Sequence, residues 1–224
     1  MTYIILVMPA LIFTMYAQSK VNSTFNKYRT VGNRREYTGA QVARKILDMN
    51  GLQNVIVERV AGNLTDHFDP RTNVVRLSDA TYSSTSVAAI GVAAHEVGHA
   101  VQHAQGYAPI KVRNAIVPVV QIASYAAWPL AIFGILLSFE GLANFGVLLF
   151  GAVVLFQLIT LPVEFNASSR AIKTLESNLI LYSDELAASK KVLSAAAMTY
   201  VASAAVAIAN LLRLLSIVGG RRRD

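Results

Sequence analysis

The chain has 224 residues, 54% of them apolar and 15% charged, with a formal net charge of +7 and no cysteine. That length holds one domain, or a small domain with membrane helices, and the charge is lean for a soluble protein. Without thiols there are no disulfides and no thiolate metal site, so any metal chemistry falls to His, Asp and Glu; a reducing compartment fits.

The basic residues are scattered over loops and beside apolar runs, for which membrane anchoring is a more economical reading than nucleic-acid binding, and no nucleic-acid partner is expected. The opening "TYIILVMPALIFTMYAQ" is an apolar run of about 16 residues, close to the lower limit for a spanning helix. No positive region precedes it, which makes it a poor secretory leader. Lys20, Lys27, Arg29, Arg34 and Arg35 follow it, so the positive-inside rule places its exit on the cytoplasmic side. Residues 1–19 therefore read as an N-terminal membrane anchor.

Residues 20–115 have ordinary globular composition. "TGAQVARKILDMNG" predicts a helix with Thr38 as its N-cap and Gly51 just past its end. "NVIVERV" predicts a strand, "NLTDHFDPRTN" a loop and "NVVRLS" a second strand. From about Ser84 to Gln105, small and apolar residues run without proline, as in a buried helix.

Two apolar runs follow, at 116–139 and 145–162, joined by "EGLAN". From Ile116 to Pro162 the only formal charge is Glu140. Residues 116–163 thus predict a transmembrane hairpin, kinked at Pro118 and Pro129. Residues 164–194 turn polar again. Residues 195–224 hold an Ala- and Ser-rich candidate membrane helix and a basic tail. A crossing by this last helix leaves "RRRD" outside, against the charge rule; the alternative is a segment that enters without crossing. Arg213 fits either, because a long basic side chain can snorkel, and a crossing is preferred.

Three of the four histidines lie in "VAAHEVGHAVQH", residues 92–103. On a helix, positions four apart share a face about 6 Å apart along the axis, so His95 and His99 can offer two imidazole nitrogens to one ion. Glu96 follows the first and stands where it can take a proton from a metal-activated water. A single His on an apolar helix is usually a hydrogen-bonded core residue. Two His and a Glu in this order, on a stretch nearly free of charge, would be unfavourable to bury without a metal or a network. Borderline nitrogen ligands favour zinc, with manganese or iron as competitors.

A third ligand is needed. His103 sits about 12 Å along the axis from His95, too far to share the ion, and reads as a neighbour of the site or a surface residue. Glu164 in "LPVEFNASSRA" is the better candidate: two crossings return the chain to the side and depth that His99 left. The alternatives for Glu164 are a helix-start carboxylate or a partner for Arg170.

"DHFDPRTNVVRLS", "GVAAHEVGHAVQHAQGYAP" and "LPVEFNASSRA" together resemble the bacterial membrane neutral zinc metallopeptidases of the YugP-like family, over most of the chain from about Lys27 onward. The resemblance implies a multi-pass membrane zinc peptidase with His95 and His99 as ligands and Glu96 as the catalytic residue. Similarity to other glutamate zincins implies Glu164 as the third ligand. Asp is common in the family where this chain has Asn166, so Asn166 is assigned no role.

The expected fold is a mainly α membrane protein, in which a small α+β zincin-like catalytic domain with a HExxH helix joins three to four transmembrane helices. The expected function is zinc-dependent peptide-bond hydrolysis with Glu96 as general base and one Zn2+ per chain. His67, Arg170 and Tyr182 are candidates to stabilise the transition state, although His67 could be a solvated loop residue and Arg170 a partner for Glu164 or Glu176. "NVVRLS" could bind an extended substrate by edge pairing. Expected partners are the lipid bilayer and a peptide or membrane-protein substrate, with a homo-oligomer or a partner membrane protein left open. The site is expected at the cytoplasmic face of a bacterial plasma membrane. Two rivals are a membrane adaptor with a structural or vestigial zinc, which has no use for Glu96, and a zinc transporter or sensor, which predicts ionisable residues inside the spans.

Overall fold

The structure is a computed structural model, and it describes Tyr3–Gly220. The terminal "RRRD", on which the charge-rule question turned, lies outside the described residues. Four helices are long and apolar enough to cross a membrane, spanning Tyr3–Tyr28, Ala108–Leu136, Glu140–Ser177 and Ser183–Gly220. The chain also forms one small three-stranded sheet, so the protein is a mainly α membrane protein with a small α+β part.

The chain divides into two compact units. One comprises Met1–Gln18, Lys111–Pro162 and Met198–Asp224; the other comprises Ser19–Ile110 and Val163–Ala197.

The first unit is built from parts of four helices: α1 (Met8–Tyr28, preceded by a π-helical turn at Tyr3–Val7), α5 (Ala108–Leu136), α6 (Glu140–Ser177) and α7 (Ser183–Gly220). Small residues set how closely these helices approach. A Cβ on Gly146 of α6 would stand 2.6 Å from the backbone nitrogen of Ala131 on α5. Ala127, Ala131, Phe150, Val154, Ala207 and Leu214 form a buried cluster. Ile122, Tyr125, Leu136 and Leu148 stay exposed, as a lipid-facing surface should. Arg213 on α7 lies with its guanidinium 4.8 Å from the Tyr3 ring and 5.1 Å from the Trp128 ring. The last stretch of α7 therefore stands beside the first turn of the chain.

The expected link "EGLAN" is not a loop. Helix α6 begins at Glu140 and α5 ends at Leu136, so only Leu137–Phe139 connect them, with Ser138 at φ 53° making the turn. Nor does the change of polarity at Glu164 end a helix. Helix α6 runs on to Ser177, because Asn166, Ser168 and Arg170 are compatible with helix once one face stays apolar. At 38 residues it is about 57 Å long, nearly twice the apolar thickness of a bilayer. Glu164 is thus a mid-helix residue and no helix-start carboxylate. Pro118 and Pro129 both remain inside α5.

The second unit holds the sheet and the histidine helix. Helix α2 (Gly39–Met49) starts at a capping box, in which Thr38 Oγ1 accepts from the Gln41 N–H and Gln41 Oε1 accepts from the Thr38 N–H. It buries Val42, Ala43, Ile46 and Leu47 on one face, and Gly51 (φ 71°) turns the chain after it. Strands β1 (Ile56–Val60), β2 (His67–Asp69) and β3 (Val74–Ser78) lie in the order β1-β3-β2. β1 pairs parallel and β2 antiparallel with β3.

This order corrects two expectations. The "NLTDHFDPRTN" stretch contains strand β2, held because Asp69 accepts hydrogen bonds from the Arg71 N–H, Thr72 Oγ1 and Arg76. "NVVRLS" is the central strand, so both of its edges are occupied and no substrate can pair with it. Val74, Val75 and Leu77 of β3 are buried, which explains the lack of clean alternation.

After a short helix α3 (Asp79–Tyr82), helix α4 (Val87–Ala104) begins where Ser86 Oγ accepts from the Ala89 N–H. Ile90, Ala93, Ala94, Val97 and Ala100 of α4 join Val42, Leu47, Val75, Leu77, Leu175 and Leu193 in one core.

Candidate metal centre

Helix α4 is apolar on nearly all sides, yet it buries three polar side chains: Glu96, His99 and Gln102. Its glycines explain where these point. A Cβ on Gly98 would stand 2.8 Å from the backbone oxygen of Ala167 on α6, so the two helix backbones nearly touch there. Ala167 is itself fully buried. That contact brings Glu164, almost one turn earlier on α6, against the histidine face of α4.

Three atoms meet. His95 Nε2 and His99 Nε2 are 3.2 Å apart, and Glu164 Oε2 lies 3.3 Å from the first and 3.4 Å from the second. The two imidazoles are nearly perpendicular, at 84°. Together the three residues form a cluster that could hold a metal ion. The fit is quantitative, because a tetrahedral ion with bonds of about 2.0–2.1 Å holds its ligand atoms about 3.3–3.4 Å apart. Two imidazole nitrogens and one carboxylate oxygen suit zinc.

Glu96 is buried beside this triangle. Burial, the largest influence on His99, opposes its protonation. Hydrogen bonding to Glu164, the charges of Glu96 and Glu164, and Gln102 together outweigh it and hold the His99 pKa above the ordinary imidazole value. The rear nitrogens also have partners. His99 Nδ1 lies 3.0 Å from Gln102 Oε1, and His95 Nδ1 lies 3.1 Å from Ser168 Oγ. Gln102 Nε2 donates to the Val163 carbonyl at 2.8 Å and to Asn166 Oδ1 at 3.0 Å.

The other singled-out residues lie elsewhere. His103 is exposed, its ring 5.9 Å from that of Phe68. His67 begins the edge strand β2, exposed, with Nδ1 2.8 Å from the Thr65 carbonyl oxygen. Arg170 pairs with neither Glu164 nor Glu176. It donates from Nε to Asn166 Oδ1 at 2.7 Å and from Nη1 to Gln105 Oε1 at 2.6 Å. Tyr182 lies between α6 and α7 with Arg34 and Arg35 over its ring at 5.0 and 5.6 Å, and its N–H donates to Glu185 Oε2.

Gln102, Asn166 and Ser168 escaped the sequence reading as partners of the histidines. A signal existed for Gln102, a polar residue one helical turn after His99 on an apolar helix. For Asn166 and Ser168 only their closeness to Glu164 hinted at it.

Residues 3–219 match the family described as "Putative neutral zinc metallopeptidase". The chain is also 50% identical over 217 residues to a Bacillus subtilis (strain 168) protein described as "Putative membrane protease YugP", covering 97% of this chain and 96% of that relative. No solved structure matches the chain.

Proposed function

The chain belongs to this neutral zinc metallopeptidase family, and from that premise we propose that it is a multi-pass membrane metallopeptidase that hydrolyses peptide bonds with Glu96 as general base. The observation that carries the reading is the triangle of His95, His99 and Glu164 donor atoms, with sides of 3.2, 3.3 and 3.4 Å, beside a buried glutamate.

His95, His99 and Glu164 would hold one zinc ion. Bound there, zinc supplies a Lewis acid that polarises a carbonyl and brings the pKa of a water close to neutral. Glu96 accepts the proton of the attacking water at its carboxylate and delivers it to the departing amine. An extended peptide would pair with β2, the sheet edge whose Phe68 reaches α4 at His103. His67 at the start of that edge would then face substrate. Arg170, held by hydrogen bonds from Nε to Asn166 and from Nη1 to Gln105, and Tyr182, engaged with two arginines, are not assigned to the oxyanion.

Lys20, Lys27, Arg29, Arg34 and Arg35 after the first apolar run support a site on the cytoplasmic side of a plasma membrane. Loops of membrane proteins, or peptides released near the bilayer, are then the substrate class. The test is Glu96→Gln in detergent-purified full-length protein. Zinc content of about one per chain should persist, as in wild type, while turnover of a peptide substrate falls by about 10²–10⁴-fold or more. Loss of zinc in Glu164→Ala beside it would support the ligand set; unchanged turnover in Glu96→Gln would remove Glu96 as general base, and unchanged biological activity of a Glu96→Gln protein without turnover would end the peptidase reading in favour of an adaptor.

A further inference from the structure

We infer that Arg170, Asn166 and Gln102 form a relay that fixes the tautomer of His99, leaving its Nε2 as a lone pair aimed at the metal position. The inference rests on the proposed metal site, and it is argued from which atoms can only donate and which can only accept. Arg170 has donors and no acceptor, so the Asn166 side-chain atom 2.7 Å from its Nε is the amide oxygen. That oxygen only accepts, so the Gln102 atom 3.0 Å from it is the amide nitrogen. The same nitrogen lies 2.8 Å from the Val163 carbonyl oxygen, another pure acceptor.

Both hydrogens of the Gln102 amide are thereby used. Reversing that amide would set its oxygen against two acceptors, and Gln102 is fully buried, so water could not compensate. Gln102 Oε1 must therefore accept from His99 Nδ1, 3.0 Å away. Nδ1 carries the proton and Nε2 does not. The orientation of each amide follows from an anchor at either end, Arg170 and the Val163 carbonyl.

His95 differs. Its Nδ1 faces the Ser168 hydroxyl, which can donate or accept, so nothing comparable sets its tautomer. His99 is the preorganised member of the pair, and the relay ties α4 to the same helix that carries Glu164. Gln102, Asn166 and Arg170 are positioning residues, acting on the metal through His99. Asn166 takes part only as an acceptor, so an aspartate should serve in its place. An apolar residue should not.

The experiment uses full-length protein in detergent, labelled with ¹⁵N-histidine. With four histidines in the chain, the ring nitrogens can be resolved, and a His99→Ala sample assigns the signal. In metal-free protein, at a pH high enough to leave every imidazole neutral, His99 should be the Nδ1–H tautomer in wild type and in Asn166→Asp. It should become a mixture in Gln102→Leu and Asn166→Leu. Zinc Kd by chelator competition should rise about 10–100-fold in the two Leu variants and stay near wild type in Asn166→Asp. A His99 carrying its proton on Nε2 in wild type, or Leu variants that bind zinc as tightly as wild type, would overturn the relay. Should Gln102→Leu fail to fold, the Asn166→Leu and Asn166→Asp pair decides. If wild type bound no zinc, the metallopeptidase reading would fall, and the metal-free tautomer would still decide the relay.

Discussion

At the scale of single residues, His99 is pulled two ways. Burial disfavours its proton, and the carboxylates of Glu164 and Glu96 favour it more strongly, so its pKa in the metal-free fold stands above the ordinary value. A histidine raised in this way contributes stability that is fully present below the unfolded pKa of about 6.5 and is lost as pH rises through the higher folded value. Zinc reverses that preference, because it needs the nitrogen bare. Zinc affinity should therefore weaken as pH falls from about 8 to about 6, with competition by protons beginning above the ordinary imidazole pKa. Chelator competition across that range checks it, and a flat profile would mean that His99 does not bind the ion. The pair of histidines and Glu96 were legible in the sequence because helical spacing alone puts them together. Gln102 was half legible, sharing the helix but not its partner.

Helices α4 and α6 decide whether the three donor atoms meet. Their approach depends on Gly98, where an added Cβ would crowd the Ala167 carbonyl at 2.8 Å. The atoms that Cβ would meet are all backbone atoms of Ala167, so the helices themselves must part. Gly98→Ala should destabilise the protein by about 1–3 kcal/mol, as overpacking does, and weaken zinc binding by spreading the triangle. Gly151→Ala is the control, since nothing lies within 4 Å of its Cβ position. A Gly98→Ala protein with wild-type melting temperature and zinc affinity would show that the contact sets neither. Strands β1 and β3 were legible as strands, but β2 read as a loop, so the order of the sheet was not legible. The two pairings that make β3 central depend on β2, whose three residues lie within a segment rich in turn formers.

For the whole molecule, four membrane helices place both connections of α6 at opposite ends of a span. The chain has no cysteine, so single cysteines can report on topology without background. Phe139 and Leu179 are both exposed, at 61% and 69%, and flank α6. A membrane-impermeant thiol reagent should label Leu179→Cys from the cytoplasmic side and Phe139→Cys from the other. Labelling of both from one side would remove the crossing by α6, and with it the reason Glu164 returns to the level of His99.

The sequence by itself determined the apolar spans, the capping of α2 and the grouping of His95, Glu96 and His99 on one helix, because each depends on residues close together in the chain. It also led to Glu164, since two crossings leave few places for the chain to return. Only the tertiary structure decided that Glu164 sits in the middle of a continuous helix, that β3 is flanked on both edges, and that Arg170 serves Asn166 instead of a carboxylate. Each of these depends on which surfaces meet across long stretches of chain. The close approach at Gly98 and Ala167 is the clearest case: a small residue permits contact, but the backbone it contacts is chosen by the fold.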